Sequence, residues 1–247
     1  MSENRIDLYN LGYYHYTGTN GYPLNQKKAF DFFSRSAELG LSEAMNYLGV
    51  MYQRGENVMQ NYKTAADWYS KAIQADNGNA LAAHNLGCLH YFGNGVPQNM
   101  DKAFELFQTS INLGRNKRHV RYANSCYMAG LIMMNHLKNN RGSIPYFKEA
   151  ANCGNIPEAW HNLGYLCEQG AMDVSKADIP SVAFRYYQTA ADLDFAPSML
   201  CVANIFAQMN MMDEARYWTN RAAEKGYEPA KKAQRFVNAS SIWDLFK

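Results

Sequence analysis

The chain has 247 residues, 47% of them apolar and 19% charged, with a formal net charge of +2. Such a composition excludes a largely disordered chain, and the charge is too small for the clustered basic footprint of a nucleic-acid binder. No run of about 18 apolar residues occurs, so no membrane-spanning helix is expected. The polar start MSENRIDLYNLG lacks the basic-then-apolar pattern of a secretory leader, which makes a cytoplasmic location the expectation. Five cysteines (Cys88, Cys126, Cys153, Cys167 and Cys201) form no CxxC pair and read as reduced, buried thiols.

From the first residues onward the chain reads as short amphipathic helices in pairs. The first helix of each pair, helix A, carries a small residue at its middle: Leu11-Gly12, Leu48-Gly49, Leu86-Gly87, Ala129-Gly130, Leu163-Gly164 and Ala203-Asn204. The spacings are 37, 38, 43, 34 and 40 residues, in the range of helical repeats. Helix B opens on a second small residue, at Ala29, Ala65, Ala103, Ser143, Ala183 and Ala215. Eleven positions later stands Gly40, Asp76, Gly114, Gly154, Asp194 or Gly226. Glycine inside a helix costs roughly 1 kcal/mol against alanine. Its recurrence therefore predicts a close crossing of helix B over helix A. The glycines six residues further on (Gly18, Gly55, Gly93 and Gly170) predict left-handed helix ends, as do Gly40, Gly114, Gly154 and Gly226 for helix B. Pro157, Pro197 and Pro229 follow those stops and predict helix starts.

These residues build the pattern A-x-x-x-N-L-G-x-x-Y-x-x-G-x-G-V-x-x-(D/N)-x-x-K-A, followed by a pair of aromatics and A-A-x-x-G. It resembles the Sel-one-like repeat, a relative of the tetratricopeptide repeat. HNLGCLHYFGNGVPQNMDKAFELF in the third unit and NYLGVMYQRGENVMQNYKTAADWY in the second carry the likeness best. The fourth unit departs from it at Met133, at His136 in the capping-glycine position, and at Arg141 to Pro145. The longer turn from Ala171 to Asp178 departs as well. The resemblance implies an all-α superhelical solenoid forming one domain over 1–247. Its six repeats fall at about 3–40, 41–78, 79–116, 117–154, 155–195 and 196–226, with a cap over 228–247. The tail SIWDLFK places Trp243, Leu245 and Phe246 close together, either packed on the last hairpin or offered to a partner.

Helical spacing separates two faces of helix A. Positions −1, 0 and +3 from the glycine face helix B; positions −3, +1, +4 and +5 form a second face. The resemblance implies that this second face lines a concave, partner-binding surface. It comprises Tyr9, Tyr13 and Tyr16; Asn46, Val50, Gln53 and Arg54; His84, Cys88, Tyr91 and Phe92; Tyr127, Leu131, Met134 and Asn135; His161, Tyr165, Glu168 and Gln169; and Cys201, Ile205 and Gln208. Tyrosine, histidine and amide side chains join apolar area to hydrogen-bonding tips, which suits protein recognition. Some of them instead serve only to fill the narrow inner side of the stack.

No HExxH, Walker loop or nucleophile elbow occurs. Gly93-Asn94-Gly95-Val96-Pro97 follows no strand and reads as a repeat turn. His84 and His161 fall in one column of different repeats, too far apart to share a metal, and His90 reads as a core imidazole at a tyrosine position. Some secreted members of the family staple the two helices of each repeat with a cysteine pair; here only Cys126 and Cys153 could attempt this, and the lack of such pairs in the other repeats argues against that subclass. The cluster Arg115, Lys117, Arg118, His119 and Arg121 is either a solvated helix start or an attractor of an acidic partner. The reading is a non-catalytic, monomeric scaffold with no cofactor or metal, binding a protein or peptide. An immunity-type protein that neutralises a toxin is the alternative implied by the family.

Overall fold

The computed structural model describes residues 4–75, 78–115 and 120–237. Among the described residues there are thirteen helices and no strand. They pair as α1 (Arg5–Thr17) with α2 (Gln26–Glu38), α3 (Ser42–Arg54) with α4 (Tyr62–Gln74), and α5 (Ala80–Phe92) with α6 (Met100–Gly114). After α7 (Val120–Asn135) and α8 (Asn140–Gly154), α9 (Pro157–Glu168) pairs with α10 (Ile179–Asp192) and α11 (Ala196–Gln208) with α12 (Met212–Glu224). The last helix, α13 (Glu228–Val237), packs on α12. The protein is an all-α solenoid of helical hairpins. Its contacts divide into two compact units, residues 1–132 and 133–247, with the division inside α7.

In the first unit the glycine column marks helix crossings. A Cβ on Gly12 would lie 2.7 Å from the ring of Phe33, on Gly49 2.5 Å from Tyr69, and on Gly87 2.9 Å from Phe107. Those rings are fully buried. Each sits four residues into helix B from its opening alanine (Ala29, Ala65 and Ala103), so the two columns are halves of one contact. Gly18, Gly55 and Gly93 end the A helices in the left-handed region, at φ of 68°, 73° and 73°.

Asparagine starts the B helices here. The side chains of Asn25, Asn61 and Asn99 accept from the backbone N–H groups of Lys28, Thr64 and Lys102, satisfying one orphan donor each. Their own N–H groups bond back to the carbonyls of His15, Tyr52 and His90, three residues beyond the glycine of helix A. His15 and His90 also fasten the turn through Nδ1, to the carbonyl oxygens of Pro23 and Pro97. His90 is thus half-buried at a turn and not the core imidazole its column predicted, because the turn folds its carbonyl towards the ring.

The second unit keeps the crossing in α9 and α10, where a Cβ on Gly164 would come within 2.7 Å of the Tyr187 ring. In α11 the register differs from the sequence reading. Val202 and Ala203 are buried and Asn204 is exposed, so the small column falls on Ala203. The extended residue before α11 is Phe195, and counting from this start places Ala203 where Gly164 stands in α9. Alanine fits because Thr219, not an aromatic, fills the opposing position on α12. The expected outward set Cys201, Ile205 and Gln208 moves accordingly to Leu200, Asn204 and Ala207.

Two expected left-handed glycines are helical. Gly114 closes α6 and Gly154 closes α8; the left-handed residue after α8 is Asn155, at φ 49°. Where His136 replaces the glycine after α7, Lys138 takes the left-handed conformation, at φ 53°. Asp76, Lys117 to His119 and the SIWDLFK tail lie outside the described residues. No helix among the described residues is long and apolar enough to cross a membrane.

Candidate functional site

The residues read from sequence as the outward face of helix A separate into three environments. Asn46 and His84 are buried, at 4% and 5% exposure, and bridge one A helix to the next. Asn85 Nδ2 donates to Asn46 Oδ1 at 3.1 Å, linking α5 to α3. His84 Nδ1 lies 2.9 Å from Ser125 Oγ of α7. Ser125 Oγ also lies 2.8 Å from Ser110 Oγ and 3.0 Å from the carbonyl oxygen of Arg121, so the His84 imidazole joins a buried hydroxyl network. The His84 Nε2 faces the Cys88 thiol at 3.6 Å. Burial, with the Arg121 charge adding to it, lowers the His84 pKa to about 4, and burial raises the Cys88 thiol to about 11. Both groups are neutral at pH 7, so the contact is no thiolate–imidazolium pair and offers no activated nucleophile. The second unit repeats the bridge: His161 Nδ1 lies 2.8 Å from Ser198 Oγ of α11, and burial lowers this pKa too.

Position +4 follows a rule that single columns hide. Tyr69 donates its hydroxyl to Gln53 Oε1 at 2.7 Å, and Tyr187 donates to Glu168 Oε2 at 2.7 Å. Each ring lies across the glycine of helix A, and its oxygen emerges beside the residue one turn on. Where helix B supplies phenylalanine instead, no hydroxyl asks for an acceptor, and +4 is tyrosine: Tyr16 opposite Phe33 and Tyr91 opposite Phe107. Tyr16 meets Phe33 edge-on with centroids 6.1 Å apart. Gln53 and Glu168 are therefore oriented by the helix behind them.

The remaining members lie at the surface or partly so. In the first unit Tyr9, Tyr13 and Tyr16 join Tyr47, which stacks on Phe33 at 4.9 Å and meets Tyr16 at 5.4 Å. Beside this cluster the A helices enclose a hollow of about 350 Å³ lined by Tyr16, Asn46, Tyr47, Val50, Arg54, Leu81, Asn85 and Arg121. Arg54 Nη1 reaches Tyr16 Oη at 3.3 Å and Glu56 Oε1 at 3.4 Å, which fixes the guanidinium at the rim. The other carboxylate oxygen of Glu56 is buried with no hydrogen-bond partner. Burial, then the neighbouring Glu56 carboxylate, pushes the Tyr16 hydroxyl up to about 12, so it remains protonated.

Tyr47, Leu81 and Asn85 escaped the sequence reading, whereas Arg121 belongs to the basic cluster read there as a solvated helix start or an attractor of an acidic partner. Tyr47 and Asn85 share position −2, so adding that column would have found both. Tyr91 is half-buried against Phe92, Tyr127 is half-buried and Asn135 is exposed. In the second unit Tyr165 is 43% exposed, and Glu168 is exposed beside it on α9. None of the five cysteines forms a disulfide, and no three His, Cys, Asp or Glu side chains converge among the described residues.

Against known proteins, the family profile of the Sel1 repeat matches residues 7–41, 42–77, 80–114, 119–155, 157–195 and 212–227. The gap in this match contains α11, the helix whose column holds Ala203. Cytochrome c oxidase assembly factor 7A of Xenopus laevis is 29% identical over 120 residues, 46% of this chain and 51% of that one. DAP3-binding cell death enhancer 1 of Rattus norvegicus is 26% identical over 167 residues, 61% of this chain and 30% of that one. The chain thus spans about half or less of the length of these curated relatives. A Sel1 repeat protein from Oxalobacter formigenes superposes with a TM-score of 0.77 at 24% identity, over 94% of this chain and 88% of that structure, and so shares the fold.

Proposed function

The chain belongs to the Sel1 repeat family, and from that premise we propose that it is a non-catalytic scaffold whose A-helix face in the first unit holds a partner protein or peptide. Folds of this class generally mediate protein–protein interaction. One relative is named for binding DAP3 and another for assembling cytochrome c oxidase. Those names speak for those proteins and lend support only to the kind of role.

The observation that carries the reading is the hollow beside the tyrosine cluster. Its side chains are held in place before any partner arrives: Arg54 by Tyr16 and Glu56, Tyr47 by Phe33, and Asn85 by Asn46. Pre-ordered aromatic and arginine side chains lose little entropy on binding and are the usual anchors of interfaces.

The test is quantitative affinity capture from the source cell, comparing the unaltered chain with Tyr13→Ala/Arg54→Glu and with a control on α4, Lys63→Glu. Tyr13 is 38% exposed and the Arg54 side chain 58%, so the double variant is expected to fold. Partners retained by the unaltered chain and the control, but lost by the double variant, are the expected result. Equal capture by all three would remove this face as the binding surface.

A further inference from the structure

The hollow of the first unit carries a charge pattern that its reading as a binding surface leaves unused. Four successive A helices contribute to it: Tyr16 comes from α1, Tyr47, Val50 and Arg54 from α3, Leu81 from α5 and Arg121 from α7. Two of these side chains are guanidiniums, and no carboxylate lines the hollow among the described residues. Like charges gathered in a concave site with apolar walls focus their potential on whatever enters it. Arg54 and Arg121 also act on one and the same buried hydroxyl, that of Tyr69, each favouring its ionised form. The two guanidiniums thus converge on one place, although they come from the second and the fourth repeat. Tyr47, Val50 and Leu81 are half-buried there and still open to contact.

Resting on that reading of the face, we propose that the partner presents an internal acidic side chain with an apolar neighbour. Arg54 and Arg121 take the carboxylate, and the neighbour lies on Tyr47, Val50 and Leu81.

Three observations select this chemistry. The first is charge complementarity, since guanidinium and carboxylate form strong, charge-assisted pairs of fixed geometry. The second is the size of the charge. Glu56 at the rim already meets Arg54 at 3.4 Å, so among these three groups one further carboxylate evens the sum and a dianionic phosphate exceeds it. The third is continuity. The four helices follow one another along the stack, so a segment that crosses them continues on both sides of the acid. The carboxylate is therefore that of a side chain and not of a chain end.

The experiment is selection of a random-peptide phage library on the full chain. Enriched peptides are then synthesised with both ends blocked and titrated by fluorescence polarisation. They are expected to share an Asp or Glu beside an apolar residue. Replacing that acid by its amide should weaken binding about tenfold, as for loss of a charge-assisted pair. Arg54→Gln and Arg121→Gln should each weaken the acidic peptide several-fold, and Arg121→Lys less. In either glutamine variant the acid-to-amide exchange should matter less than in the unaltered chain, which is the coupling expected of direct partners. Added salt should weaken the acidic peptide and barely touch its amide analogue.

A neutral or basic consensus whose binding is lost in Tyr13→Ala/Arg54→Glu would keep this face as the binding surface and overturn its acidic partner. Acidic peptides indifferent to both glutamine variants would overturn it too, as would phosphoserine binding more tightly than glutamate in the same peptide. Enrichment of no peptide would overturn this inference and leave a folded partner to the face. Peptides bound equally by Tyr13→Ala/Arg54→Glu would remove the face itself, and the inference with it.

Discussion

The two units solve the same packing problem with different residues. In the first, glycine takes the left-handed end of every A helix and asparagine caps every B helix whose start is described there. In the second, left-handed positions fall to Lys138, Asn155, Asp194 and Asn210 as well as to two glycines. Only α8 keeps an asparagine cap there, while α10 and α12 begin without a side-chain bond. Asp194, at φ 71°, is held through its carboxylate, which meets Arg221 at 3.3 Å and also Lys225. Local backbone chemistry thus fixes the turns of the first unit, and side-chain contacts stand in for it in the second. The lesson is that a repeat is defined by the crossing of its helices, and the means of ending them are interchangeable.

The crossing offers the largest test of that contrast. Tyr69→Ala would empty a fully buried site and is expected to cost about 3–5 kcal/mol in denaturant unfolding. Thr219→Ala, at the matching place in the last hairpin, should cost only about 1 kcal/mol. Similar losses at both sites would mean that the ring-on-glycine contact does not dominate the first unit.

Acid provides the next. The His84 pKa is lowered from the usual 6.5 to about 4, so between those values the unfolded chain binds the extra proton and the folded one does not. Stability is full above pH 6.5 and falls as pH drops towards 4, by on the order of 3 kcal/mol. His161 acts with the same sign. Unfolding free energies between pH 7 and 4 should therefore slope, and His84→Gln should flatten part of the slope. An unchanged slope would refute the buried neutral imidazole.

The small column then separates the units directly. Gly49→Ala is expected to destabilise by about 1–3 kcal/mol through overpacking against Tyr69, despite alanine's better helix propensity. Ala203→Gly should also destabilise, by about 1 kcal/mol, because no ring needs the space. The smallest effect concerns caps. Asn99→Ala should lose about 1 kcal/mol, and Met211→Asn should gain some tenths to 1. Met211 has φ −94° and ψ 75°, close to the −106° and 79° of Asn139, whose side chain does cap its helix. Thermal melts of the variants check both.

Most of the fold was legible because the glycine columns carry a steric reason that survives in one dimension. The asparagine caps were equally visible and were passed over, since Asn25, Asn61 and Asn99 look like loop residues until the helix start is fixed. The register of α11 was misread because Ala203-Asn204 imitates the small pair one residue late; the alanine–threonine exchange with Thr219 appears only once two helices face each other. The outward face was legible as a stripe but not in depth. Asn46 and His84 hold the same spacing as exposed neighbours, yet the next A helix covers them. Nothing along the chain marks which polar residues lie under the following repeat.

The hydroxyl of Tyr69 or Tyr187, passing over a glycine to reach Gln53 or Glu168, has an evolutionary corollary. The amide or acid offered at the front of such a hairpin is half chosen by a ring that no visitor ever touches. Diversifying these outward positions while leaving the hidden oxygen in place strands a buried hydroxyl. New preferences at this surface should therefore arise by paired exchange, tyrosine with phenylalanine behind and an acceptor with an aromatic in front.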